Sequence, residues 1–225
     1  DGLTKRMIKT VSPFIVLLFL VFDIFAETII SLPKARQKSH ISLEETLSKR
    51  RSVREYSSET LTISEVSQLL WAAQGITDGR NGRTAPSAGA LYPLFVYLVA
   101  GNVKNLSAGI YKYEPHKHQL LKIKEGDVRD SLAKASLGQP WVREAPVSIV
   151  ITAIYEITTR KYGERGVRYV HIEVGHAAQN ILLQAVALDL GAVPVGAFND
   201  TEVRKILNLK ENENPLYIIP IGKRK

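Results

Sequence analysis

From about Arg168 to Leu190 the apolar residues Val170, Val174, Ala177, Ile181, Ala185 and Leu188 recur at helical spacing. Such a stripe must be covered by other elements. By Ala185 to Leu190 nearly every face is apolar, so the spacing predicts a long helix through the centre of the molecule, ended by Gly191. The rest of the chain supplies the cover. Pro146 to Ala153 is a β-branched run suited to a buried strand, and Phe95–Ala100, Val193–Phe198 and Leu216–Ile221 read as further strands. Gly109–Tyr113 and Leu120–Lys124 form a hairpin turned by Glu114, Pro115 and His116. Ser42 with Glu45, and Thr62 with Glu65, have the form of capping boxes that open helices. Asp127–Leu137 and Thr201–Leu207 are further helices. Helices and strands alternate irregularly around one core, which predicts a single α+β domain.

The first 26 residues are set apart from that domain. Lys5, Arg6 and Lys9 precede an apolar run from Phe14 to Phe22, and Ala26 offers a small residue for cleavage, the pattern of a secretory signal peptide. The run is too short for a membrane span, for which about 20 apolar residues are needed. The expectation is a secreted or periplasmic protein, tethered to the membrane only if uncleaved. Met7 reads as the start of translation, with residues 1–6 foreign. Residues 27–39, with Pro33, Lys34, Arg36 and Lys38, read as a linker, and the domain is taken as 40–225.

The net charge is +8, and removing residues 1–26, with three cations and two anions, leaves +7. This basicity suits nucleic acid, an anionic membrane or phosphorylated ligands. No aromatic-interleaved basic strand or recognition helix stands out, so nucleic acid is not expected. The chain has no cysteine, which excludes disulfides, thiolate zinc sites, iron–sulfur clusters and a cysteine nucleophile.

Four segments can carry chemistry. Arg50, Arg51, Ser52 and Arg54 place three guanidinium groups and a hydroxyl within five residues, a phosphate-binding set or a solvated basic helix end. Arg83 to Pro93 contains Pro86, Ser87, Ala88 and Gly89, small residues that let backbone amides approach a flat ligand, or an ordinary turn. Arg160 to Tyr169 concentrates ionisable groups ahead of His171, Glu173 and His176. The two histidines are five apart and share no helical face, which leaves no zinc site, and His176 reads as a core residue. Gly191 to Phe198 interrupts an apolar strand with Pro194 and Gly196, exposing backbone amides or forming a bulge.

Taken in order, Arg50 to Arg54, Ala85 to Pro93, Gly138-Gln139, Lys161-Tyr162-Gly163, Gly175 to Asn180 and Gly191 to Phe198 resemble the nitroreductase-like flavoproteins, specifically the SagB-type dehydrogenase branch. The resemblance covers nearly all of residues 40–225. It implies a central mixed or antiparallel sheet packed by helices, and an FMN-binding homodimer with the flavin at the subunit interface. By that similarity Arg50, Ser52 and Arg54 hold the FMN phosphate with Arg51 beside them, and Lys223 and Arg224 join near the C-terminus. Pro86, Ser87, Ala88 and Gly89 contact the flavin from the partner subunit. Gln139, Pro194, Val195 and Gly196 line the cofactor, with a backbone N–H directed at flavin N5. Lys161 and Tyr162 match the family's catalytic Lys-Tyr pair. The expectation is an FMN oxidoreductase that passes hydride to or from a small organic or peptide-derived substrate, with NAD(P)H a candidate donor. The alternative is a non-catalytic flavin-binding or sequestration module.

Overall fold

The computed structural model describes residues 28–225, so the apolar segment of residues 1–26 lies outside it. In chain order the elements are β1 (Ile29–Ser31), α1 (Leu43–Lys49), β2 (Leu61–Thr62), α2 (Ile63–Gln74), a 3₁₀ turn (Ala88–Ala90), β3 (Leu94–Ala100), β4 (Val103–Lys104), β5 (Gly109–Glu114) and β6 (Gln119–Glu125). Then follow α3 (Arg129–Ala135), α4 (Pro140–Glu144), β7 (Val147–Ala153), α5 (Glu156–Tyr162), α6 (Arg165–Ala187), β8 (Leu190–Ala192), α7 (Asp200–Leu207) and β9 (Asn214–Lys223). Seven strands form one sheet in the order β1-β6-β5-β3-β7-β9-β8, with every neighbouring pair antiparallel. β2 and β4 pair in parallel beside it.

Alternate residues of the strands feed two cores. From β3, Val96 and Leu98 pack with α2 and the α6 stripe Val170, Val174, Ala177, Ile181 and Ala185, whereas Tyr97 and Val99 pack with Leu132, Val142 and Val203 of α3, α4 and α7. Every residue of β7 is buried because both its faces are covered and β3 and β9 flank it, which explains its unbroken apolar run.

Several boundaries differ from the sequence expectation. Residues 27–39 do not act only as a linker, since Ile29–Ser31 pairs with Gln119–Leu121 and Arg36 N–H donates to Gln68 Oε1 at 2.7 Å. The long helix spans Arg165–Ala187, three residues earlier at both ends than expected, and Asp189 rather than Gly191 takes the left-handed turn after it (φ 57°). Gly191 is needed for a different reason: a Cβ there would lie 2.5 Å from Val53 Cγ1. The strand expected at Val193–Phe198 is displaced to Leu190–Ala192; Pro194 has no N–H to donate, and beyond it only Val195 bridges to Ile218. The Thr62–Glu65 capping box is complete, but at α1 only Ser42 caps, because the Glu45 carboxylate turns to Lys49. His176, expected in the core, is exposed.

Candidate active site

The groups singled out from sequence gather into two clusters, and among the described residues no hydrogen bond or ion pair joins them. The first is built along the β8–β9 end of the sheet. Val53 N–H donates to Ala192 O at 3.0 Å, Ser52 bridges to Ala192, and Tyr56 bridges to Arg224, so the backbone of 52–56 is laid beside β8 and β9. Ser52 and Arg54 stay exposed, and the Arg54 guanidinium lies 5.3 Å from the Trp141 ring centre. Arg50 caps the C-terminal end of α1, half-buried. Arg51 folds back, its Nη1 donating to the carbonyls of Ser48 and Arg50. Lys223 is committed elsewhere, its ammonium 2.5 Å from Glu65 Oε1, while Arg224 Nε donates to Leu190 O at 3.1 Å.

Gln139 carries this cluster toward the loop after Pro194: its Nε2 donates to Ser136 O at 2.8 Å and Ala197 O at 2.9 Å. Val195 N–H is spent on Ile218 O at 2.7 Å, so it has no proton to offer a ligand. Gly196, one residue on, is exposed and outside that bridge. The structure thus separates two residues that the sequence left together.

The second cluster forms around the 3₁₀ turn. Gly89 (φ 62°), Ala90 (φ 54°) and Tyr92 (φ 51°) all have left-handed backbones, uncommon for the latter two. The turn is held by Ser87, whose Oγ accepts from Tyr92 N–H at 2.9 Å and donates to Glu173 Oε2 at 2.5 Å. Glu173 sits on the buried stripe of α6, 2% exposed, and its Oε1 has no partner. Burial pushes its pKa up to about 7, against the opposing pull of the Ser87 hydrogen bond and the Arg83 charge. Ser87 is therefore a clamp on the turn, its hydroxyl turned inward.

On the other side of the turn stand Lys161 and Tyr162. They lie in the last turn of α5, a helix missed from sequence because Thr158 and Thr159 lower its propensity and it presents only seven residues. A Cβ on Gly89 would meet Tyr162 Oη at 2.7 Å and Lys161 Nζ at 3.0 Å, so a side chain there would displace both side-chain ends, while the left-handed backbone favours glycine. Tyr162 is fixed edge-on against Tyr169 of α6, with ring centres 5.2 Å apart. His171 pairs with Tyr155 Oη at 2.7 Å and takes no part in either cluster. Glu173, named in the sequence only alongside His171 and His176, becomes in the structure the buried partner of Ser87. The signal was available: it is a carboxylate on the same helical face as Val170 and Ala177.

Most of this chain is similar to known proteins. The family model described as the nitroreductase family matches residues 47–223. The Methanocaldococcus jannaschii protein MJ1384, whose name places it among the nitroreductases, is 50% identical over 184 residues, 82% of this chain and 92% of that one. The Escherichia coli microcin B17-processing protein McbC is 31% identical over 157 residues, 67% of this chain and 58% of that protein. Among solved structures, a nitroreductase-like protein of Ralstonia eutropha superposes with a TM-score of 0.78 at 30% identity, covering 88% of this chain and 90% of its own. A chain of the Escherichia coli microcin synthetase McbBCD complex, solved with truncated pro-MccB17 bound, gives a TM-score of 0.71 at 25% identity over 98% of this chain and 85% of that one. The matched residues run through both clusters and nearly the whole sheet, and this chain belongs to the nitroreductase family.

Proposed function

We propose that this chain is an FMN-dependent oxidoreductase whose complete site forms between two copies, the phosphate cluster of one facing the Gly89 turn of the other. The observation that carries the reading is the division of the polar groups into two outward-facing half-sites. Exposed Leu43 and Leu47 on α1, with Val167 and Ile172 on α6, give a second copy apolar surface to cover. FMN, when bound, supplies hydride exchange at N5.

The residues fit that group. Arg54, Ser52 and Arg50 supply charge-assisted and hydroxyl donors to a phosphate. Gly196 offers a backbone N–H that no ladder pairing consumes, and Pro194 and Val195 bring it to the sheet edge. Lys161 and Tyr162 hold or move a proton at the substrate atom beside Gly89. The acceptor class we infer is a small organic or peptide-derived molecule, the latter supported by the likeness to McbC.

Heat release followed by chromatography should yield FMN, and light scattering should give twice the mass of one chain as purified. Recovery of FAD alone, or a monomer that retains tight FMN, overturns the reading. Bleaching by NAD(P)H and rapid recovery with an acceptor separate an enzyme from a flavin-sequestering module, for which no acceptor restores the colour.

Within the basic cluster, Arg54→Ala is expected to weaken FMN binding by about 10- to 150-fold, the loss of one charge-assisted hydrogen bond worth about 1.5–3 kcal/mol. Arg51→Ala is expected to change affinity by less than about threefold, because its guanidinium is spent on its own helix end. Titration of apoprotein with FMN checks both, and equal effects at the two positions would contradict the assignment.

A further inference from the structure

A cleft of about 240 Å³ opens beside the Gly89 turn, between the start of β3 and the β5–β6 hairpin. Its lining includes Arg83 and Tyr92, which bracket the turn, together with Phe95, Lys112, Lys117 and Gln74. The electrostatics of this cleft are unbalanced. The Arg83 guanidinium lies 4.3 Å from the Tyr92 ring centre and Lys112 Nζ lies 4.4 Å from the Phe95 ring centre, yet neither cation has an ion-pair partner among the described residues. Glu114 is the acid in the lining, and it accepts from Gln119 Nε2 at 3.2 Å.

A half-buried guanidinium without a carboxylate is costly, since burial removes water that a counter-charge would replace. Arg83 donates through Nη1 to Gln74 Oε1 at 2.7 Å, but its buried Nε has no acceptor. Gln74 is 1% exposed and its Nε2 is likewise unpartnered. Burial holds the Arg83 pKa below the ordinary arginine value, against the opposing influence of Tyr92 and then Glu173. The Glu173 carboxyl makes no ion pair with it, and with a pKa of about 7 it is largely neutral in mildly acid solution.

We propose that this cleft binds a planar aromatic carboxylate, its carboxylate on Arg83 and Lys112 and its ring between Tyr92 and Phe95. A guanidinium presents paired donors that match a carboxylate, and the aromatic walls favour a flat ring over a saturated one. The cleft shares Arg83 and Tyr92 with the ends of the turn that carries Gly89, so its ligand sits directly behind the proposed reaction site. The assignment is independent of flavin chemistry and is read by binding alone.

The test is equilibrium binding of benzoate to the purified protein, with cyclohexanecarboxylate and inorganic phosphate as competitors. Saturable binding is expected, weakened about tenfold or more by Lys112→Gln and by Arg83→Lys, which keeps the charge but loses the fork. Cyclohexanecarboxylate and phosphate should compete at least about tenfold less well. Lys161→Ala should leave benzoate affinity unchanged, which separates this cleft from a ligand resting on the flavin. If Arg83→Lys fails to fold, judged by circular dichroism, Lys112→Gln decides alone. The proposal is overturned by absence of saturable binding, by equal competition from phosphate or the saturated acid, or by loss of binding in Lys161→Ala and not in Lys112→Gln.

Discussion

Replacing Lys161 by Ala, or Tyr162 by Phe, is expected to lower turnover at least about 100-fold while FMN stays bound, the usual contribution of a general acid–base group. The two polar atoms meet at the space a Cβ on Gly89 would occupy, on a turn that the Ser87–Glu173 hydrogen bond holds. Oxidation of a C–X bond by hydride transfer releases a second hydrogen as a proton, and a base must stand within about 3 Å to take it. A neutral lysine amine can take that proton, and the tyrosine hydroxyl can relay it. In the single chain Lys161 is exposed, so its amine is open to a substrate beside Gly89. The measurement is steady-state turnover beside FMN content and dithionite reduction. Unchanged turnover in both variants removes the pair from the chemistry, whereas lost FMN would mark a binding role.

The second large effect concerns Glu173. Below about pH 4.5 its carboxyl is protonated in folded and unfolded chains alike. Between that value and about 7 the unfolded chain releases the proton and the folded chain keeps it, so stability falls as pH rises. At 1.36 kcal/mol for each pKa unit the loss is about 3 kcal/mol, complete once the pH passes the folded value. Glu173→Gln keeps an oxygen to accept from Ser87 and cannot ionise. Its unfolding free energy, minus that of the unchanged protein, should therefore grow by about 3 kcal/mol from pH 4.5 to pH 8, in favour of the variant. Urea unfolding at several pH values measures this difference, in which the other titrating groups cancel. A difference constant across the range would show that the buried carboxyl is not the titrating group.

Local regularities were legible without coordinates. The α6 stripe, the β-branched run of β7 and the Thr62–Glu65 capping box all depend on residues close in the chain, and each appears within a few residues of its expected place. Where expectation and structure part, a distant contact decided the matter. Ile29–Ser31 reads as linker because three residues carry no period, and it becomes a strand only because β6 leaves an edge to pair with. Lys223 enters the phosphate set only through the family resemblance, and its ion pair with Glu65, 158 residues away on α2, is set by the fold.

Sequence by itself determined the longer helices and strands, the basic and small-residue segments and the adjacency of Lys161 to Tyr162, since propensity, periodicity and charge are properties of neighbours along the chain. Only the tertiary structure decided which of those groups face one another: that Ser87 turns inward to Glu173, that Gly196 rather than Val195 keeps a free amide, and that Lys161 and Tyr162 meet at Gly89. The physical reason is that a hydrogen bond or a close contact is set by position in three dimensions, and packing α5 on α6, and α6 against the sheet and the 3₁₀ turn, brings together residues that nothing along the chain relates.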